Sequence, residues 1–128
     1  MGTSKKIIMI TLAQENIKDL TEKLLDLIAK TSVEIGHKTD AQTMATLSKI
    51  FAEDLQTENR FKNLTFNQIQ DAFHQGVRFG KDEPFLNIRT FYKWVYTHKK
   101  TIDNAIYLTE KLQQKNIQYY QPKQKLLK

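Results

Sequence analysis

Apolar residues recur along this chain mainly at spacings of three and four, the repeat of a helix that buries one face. Ile17, Leu20, Leu24, Leu27 and Ile28 form such a face, with Glu15, Asp19, Glu22, Lys23 and Asp26 opposite them. The pattern predicts a first helix over residues 11–30, opened by Thr11 and Gln14 at the spacing of a capping box. Gly36, inside "TSVEIGHKTD", is expected to reverse the chain. A second helix over 41–55 follows a cap at Thr39 or Asp40, with Met44, Leu47, Ile50, Phe51 and Leu55 as its apolar positions. Beyond the polar link "QTENRFKN", Thr65 and Gln68 repeat the capping-box spacing. The third helix they open carries Ile69, Ala72, Phe73 and Val77 and stops between Gly76 and Gly80.

Pro84 forbids continuation through "KDEPFLN". From Asn87 or Ile88 onward, Phe91, Trp94, Val95, His98, Ile102, Ala105, Ile106 and Thr109 form one stripe, consistent with a long helix to about Gln114. A break at Thr101, which can cap "IDNA", is the alternative. The last stretch, "IQYYQPKQKLLK", contains Pro122 and reads as a basic mobile tail over 117–128. Strand character is confined to "KKIIMI", so residues 1–10 read as an N-terminal arm. The expected fold is therefore all-α: a single-domain orthogonal bundle of four or five helices over 11–116, with a long C-terminal helix. Its expected core is Leu20, Leu24, Ile28, Leu47, Ile50, Phe51, Ile69, Phe73, Val77, Phe91, Trp94 and Val95.

Composition removes most chemistries. A chain of 128 residues with 40% apolar content buries one core. With no cysteine there are no disulfides, zinc–thiolate sites, iron–sulfur clusters or cysteine nucleophiles. The longest apolar run, residues 7–12, is far below the roughly 20 residues of a membrane span, and Gln14, Glu15 and Asn16 follow it in place of a cleavage site. Lys6 stands where myristoylation requires Ser or Thr. A cytoplasmic protein without membrane attachment is expected.

Ser4, Ser32 and Ser48 lie in no nucleophile elbow, "GKDEP" is not a phosphate-binding loop, and His37, His74 and His98 have no paired spacing. Asp71 and His74 stand one turn apart, but zinc wants three or four protein ligands. Glu53 and Asp54 lack a second acidic pair. Neither an enzyme nor a cofactor is expected.

Charge changes the picture more. Residues 1–64 hold nine Lys/Arg and nine Asp/Glu, whereas residues 65–128 hold eleven against five, the whole of the +6 net charge. The segment "NIRTFYKWVYTHKK" places Arg89, Lys93, Tyr96 or Thr97, and Lys100 on one helical face, opposite Trp94, Val95 and His98. Cations with an aromatic among them suit phosphate contacts and base stacking. Arg78 and Lys81 flank this stripe, and Lys123 and Lys125 extend it into the tail. The reading is non-catalytic nucleic-acid binding. The alternative is a protein–protein adaptor, or an inhibitor seated on an acidic protein surface, anchored by Tyr107, Leu112, Tyr119 and Tyr120. A homodimer would bury the same residues. The third and fourth helices have a helix-turn-helix-like order, but residues 76–86 are a longer connection than the three or four residues of that motif.

The segment "LTFNQIQDAFHQGVRFGKDEPFLNIRTFYKWV", a quarter of the chain, resembles small helical proteins carried by Bacteroidetes bacteria and their phages. Ile69, Ala72, Phe73, Gly76 and Val77 carry the likeness on one helix, and Leu86, Asn87, Thr90, Phe91, Tyr92, Lys93 and Trp94 on the next. The resemblance implies a phage or mobile-element accessory protein, linked to DNA replication, and no catalytic residues.

Overall fold

The computed structural model describes residues 10–127, with side chains to residue 114. The "KKIIMI" segment, apart from Ile10, lies outside the described residues. So do the side chains of Tyr119, Tyr120, Lys123 and Lys125, on which the expected tail and its roles rest. The described chain is all-helical: α1 (Ile17–Ile35), α2 (Ala41–Thr57), α3 (Phe66–Phe79) and α4 (Ile88–Leu127), preceded by one 3-10 turn (Leu12–Gln14).

The caps explain where each element starts. Thr11 and Gln14 do form a capping box, with the Thr11 N–H donating to Gln14 Oε1 at 2.9 Å, but it closes the 3-10 turn instead of opening α1. Asn16 opens α1, its Oδ1 accepting from the N–H groups of Lys18 and Asp19 at 2.9 and 3.1 Å. The helix runs past Lys30 because the Thr31 and Ser32 hydroxyls are satisfied locally, donating to the Leu27 carbonyl at 2.8 Å and the His37 carbonyl at 2.6 Å. It ends at Gly36, whose φ of 74° is a left-handed conformation that a Cβ would disfavour. Asp40 opens α2, accepting from the Thr43 N–H at 2.7 Å. Thr65 and Gln68 bond reciprocally at 2.9 and 3.3 Å to open α3, and Asn87 accepts from the Thr90 N–H at 2.8 Å at the start of α4. No break occurs at Thr101, and the α4 backbone also continues through Pro122 to Leu127. Proline removes one hydrogen bond from a helix, but its fixed φ of about −65° is itself helical.

Two compact units result, residues Met1–His98 and Lys99–Lys128. In the first unit α1 packs chiefly on α2 and less extensively on α3. Leu20, Leu24, Ile28, Phe51, Ile69, Phe73, Phe91, Trp94 and Val95 are buried as expected. Three expected core residues are not: Leu47 and Val77 are half-buried and Ile50 is 41% exposed. The inward face of α2 is centred on Ser48, Phe51, Ala52 and Leu55, which turns Ile50 outward. The fully buried Ser48 fits there because its hydroxyl donates to the Ala45 carbonyl at 2.8 Å.

The core is aromatic where α2, α3 and α4 meet. Phe51, Phe73, Phe91 and Trp94 stack in tilted and edge-on pairs with centroids 5.0 to 6.2 Å apart. Phe61, from the link read as polar, is fully buried and packs on Tyr92 at 5.5 Å. Leu12 is equally buried, held by Leu12 N–H to Leu64 carbonyl (2.8 Å) and Ala13 N–H to Lys62 carbonyl (3.0 Å) bonds. The Gln56 amide adds donations to the Leu12 and Glu15 carbonyls. These bonds tie the 3-10 turn across the α2–α3 link. Burying side chains such as Leu12 and Phe61 contributes about 1.5–3 kcal/mol each.

Candidate functional site

The first turns of α4 present Arg89, Lys93 and Tyr96 on the side opposite the buried Phe91, Trp94 and Val95. The two exposed cations differ in their surroundings. The Lys93 ammonium is ion-paired with Asp82 of the α3–α4 loop. Lys81 and Arg89 are exposed and have no ion-pair partner among the described residues. Tyr96 is 44% exposed, and Arg60, which the sequence reading did not single out, lies over its ring at 5.6 Å. Arg60 also lies 5.5 Å from the Phe61 ring and bonds Glu58 Oε2 at 3.0 Å. A base stacking on Tyr96 would therefore meet an arginine already against the ring. Lys100, at the next step of the same spacing, is exposed and belongs to the second unit.

Arg78 is committed elsewhere. From the last turn of α3 it grips Glu34 near the end of α1, Nη2 to Oε2 at 2.8 Å and Nη1 to Oε1 at 3.4 Å. That bond holds the Glu34 carboxyl below its ordinary range and pushes the Arg78 guanidinium further up. Its geometry is that of a clasp between helices, not of a group waiting for phosphate.

An open groove of about 880 Å³ lies between α1 and α3, with Leu27, Phe66 and Phe73 among its apolar lining. Asp26, Lys30, Asp71 and His74 stand around it, so the Asp71–His74 pair noted in the sequence faces a lysine and another carboxylate. No group of three or more metal-binding side chains occurs among the described residues. Tyr92 has a phenol pushed up to about 12, first by burial and then by its hydrogen bond to Asp54. That environment stabilises the neutral phenol and suits packing, not nucleophilic attack.

The second unit is a single helix. Its apolar side carries Ile102, which is half-buried, and then the exposed Ala105, Ile106 (52%), Leu108 (56%) and Leu112 (60%). Of the anchors expected from sequence, Leu112 lies on that side. Tyr107, 59% exposed, falls on the polar side with the Lys111 ammonium 5.7 Å from its ring. Lys99 pairs with Asp103 at 2.5 Å, one turn on, and the Thr109 hydroxyl donates to the Ala105 carbonyl at 2.9 Å. The sequence signal for Ile106 was present in the helical repeat, whereas Leu108 falls outside it; what the repeat could not convey is that Ile106 is exposed where Phe91, Trp94 and Val95 are buried.

No family model matches the chain, and no curated protein or solved structure matches it either. No helix among the described residues is long and apolar enough to cross a membrane.

Proposed function

We propose that this is a non-catalytic interaction protein, in which a small helical body carries a helix that docks on another polypeptide by its apolar side. The observation that carries this reading is the exposure of Leu108 and Leu112, one turn apart on α4, with the exposed Ile106 at the opposite edge of a wide apolar face. Most helical stability in proteins comes from packing of an amphipathic face, so a surface that covers these apolar residues would stabilise this part of α4. Helix-in-groove recognition uses such anchors at three- and four-residue spacing. The rim is of mixed sign, with Asp103 and Glu110 against Lys99, Lys100 and Lys111, which suits a groove that is apolar at its floor and polar at its edges. The test is a pull-down with nuclease-treated extract, comparing the wild type with an Ile106→Glu, Leu112→Glu double variant. Partner capture is expected to survive nuclease and to be lost in the variant. Capture that persists in the folded variant removes the reading.

A second reading, nucleic-acid binding, draws support from the exposed Lys81 and Arg89 and from the +6 carried by residues 65–128. Fluorescence anisotropy with DNA and RNA at two salt concentrations tests it, because phosphate neutralisation makes affinity fall steeply with salt. A Lys81→Glu, Arg89→Glu variant is expected to lose affinity, and Lys93→Glu to lose less, since Asp82 already neutralises Lys93. Either activity would be compatible with the phage or mobile-element accessory role in replication that the sequence resemblance implies.

A further inference from the structure

We infer that the groove between α1 and α3 is a seat for an extended basic and apolar peptide segment, and that its occupant is this chain's own "KKIIM", residues 5–9. The inference concerns the first unit and stands apart from the reading of α4. The groove runs between two contacts that join the helices. At one end Lys23 lies over the Phe66 ring at 4.9 Å, and at the other Arg78 grips Glu34 at 2.8 Å. Ile10 belongs to the lining and is 45% exposed. The bonds from Leu12 N–H to the Leu64 carbonyl and from Ala13 N–H to the Lys62 carbonyl carry the chain past residues 62–64 in the opposite direction, which sets Ile10 beside the start of α3. The segment before Ile10 is therefore tethered at the Phe66 end of the groove.

Length and charge both match that segment. Lys23 and Glu34 are eleven residues apart on α1, about 16 Å at 1.5 Å per residue. Five extended residues span about 17 Å at 3.3 Å each. Alternation along an extended chain places Ile8 and Lys6 on the side of Ile10, Ile8 nearer the apolar floor of Leu27 and Phe66 and Lys6 one step further in. In that direction stand Asp26 and Asp71, both exposed and without an ion-pair partner among the described residues. The other two carboxylates of the lining are engaged: Glu15 by Lys23, and Glu34 by Arg78, with Lys30 adding to Arg78 in lowering the Glu34 carboxyl. Lys5 and Lys6 supply the missing cations, and residues 1–9 contain no carboxylate side chain. A segment joined to the groove by its own backbone meets it at an effective concentration on the order of millimolar, which favours it over a free peptide of the same chemistry.

Because the chain has no cysteine, paired cysteines report where the segment lies. A disulfide needs Cα atoms about 4.4–6.8 Å apart. In the full chain, Ile8→Cys with Gln70→Cys, an exposed position of the groove, should cross-link within one copy under mild oxidation. Ile8→Cys with Asn63→Cys, exposed beside the 3-10 turn but outside the groove lining, should cross-link many times more slowly. Lys5→Glu with Lys6→Glu should slow the Gln70 reaction several-fold, and Asp26→Lys with Asp71→Lys should restore it. Equal rates at Gln70 and Asn63, or a disulfide that joins two copies instead of closing within one, overturns the inference. A Gln70 rate that the lysine reversal leaves unchanged overturns it as well. The first comparison leaves every charge in place, so it decides the matter even where a reversal variant loses its helical circular dichroism.

Discussion

Gly76→Ala should destabilise the first unit although alanine is the better helix former. Gly76 lies in α3 beneath the indole of Trp94, and a Cβ built there would stand 2.5 Å from Trp94 Cδ2 and closer still to Cγ and Cδ1. These are ring atoms, so no flexible chain end can swing aside. The ring is itself wedged, edge-on to Phe73 at 5.2 Å and 6.2 Å from Phe91, with only 7% of the residue exposed. Overpacking a well-packed core costs about 1–3 kcal/mol, and an overlap this deep against a rigid ring belongs at the upper end. Replacing glycine within a helix returns roughly 1 kcal/mol. The net expectation is a loss of about 2 kcal/mol, or about 8–16 °C in Tm for a body of this size. Urea unfolding followed by the emission of Trp94, the single tryptophan, measures it at the site of the clash. In a Trp94→Leu background the same Gly76→Ala change should become neutral or stabilising, because the Cβ then has room. Equal or greater stability of Gly76→Ala in the wild-type background would refute the close approach of the indole to α3.

Lys23 sits 2.6 Å from the carboxylate of Glu15, whose side chain is only 5% exposed, and 4.9 Å over the Phe66 ring. Lys23→Ala should therefore cost about 1–3 kcal/mol in urea unfolding, the range for leaving a buried acceptor without its partner. Glu15→Ala added to it should recover part of the loss, and strict additivity would count against the pair. Tyr92, with its folded value raised to about 12 from an ordinary 10, favours the neutral phenol in the native state. The stability it supports is complete below pH 10 and is lost as the pH rises from 10 through 12. A tyrosinate absorbance titration should lose its late component in Tyr92→Phe. Glu34 runs in the opposite sense: its value is lowered by Arg78, so the stability it contributes is present above the ordinary carboxylate range and is lost as pH falls through the folded value. Arg78→Ala should flatten that acid limb, and an unchanged acid limb in a guanidinium-free variant would refute the clasp.

Periodicity located all four helices because α1, α2, α3 and α4 each bury one face, and the caps Asp40, Thr65 and Asn87 lie where short polar side chains precede those faces. The misreadings have local causes. Thr11 and Gln14 satisfy a capping box equally well on a 3-10 turn or an α-helix, and the competing Asn16 decides which element follows. Phe61 stands alone in a link that reads as polar, and Leu12 ends the apolar run of residues 7–12 with no sign of which surface it meets. Their burial depends on hydrogen bonds between the 3-10 turn and residues 62–64, some fifty positions away, which no repeat encodes.

The charged side was legible by residue type and misleading by count. A net charge of +6 sums groups without regard to what stands beside them, whereas a polyanion responds to the cations that remain uncompensated. Asp82 is eleven residues before Lys93 and Glu34 is forty-four before Arg78, so neither pairing falls at a helical repeat. Once those two cations are set aside, Lys81 and Arg89 are the exposed cations of the first unit's share of the expected nucleic-acid surface that have no ion-pair partner among the described residues. The apolar side of α4 has the converse history. Its repeat runs from Phe91 to Thr109, and the spacing alone does not mark where along it burial ends. Only the fold distinguishes Phe91, Trp94 and Val95, which the body of the protein covers, from Ile106, Leu108 and Leu112, which it leaves exposed. A helical repeat that outlasts the core able to bury it is the physical reason to look for function on α4 after His98, ahead of the arginines and lysines that first drew attention to this helix.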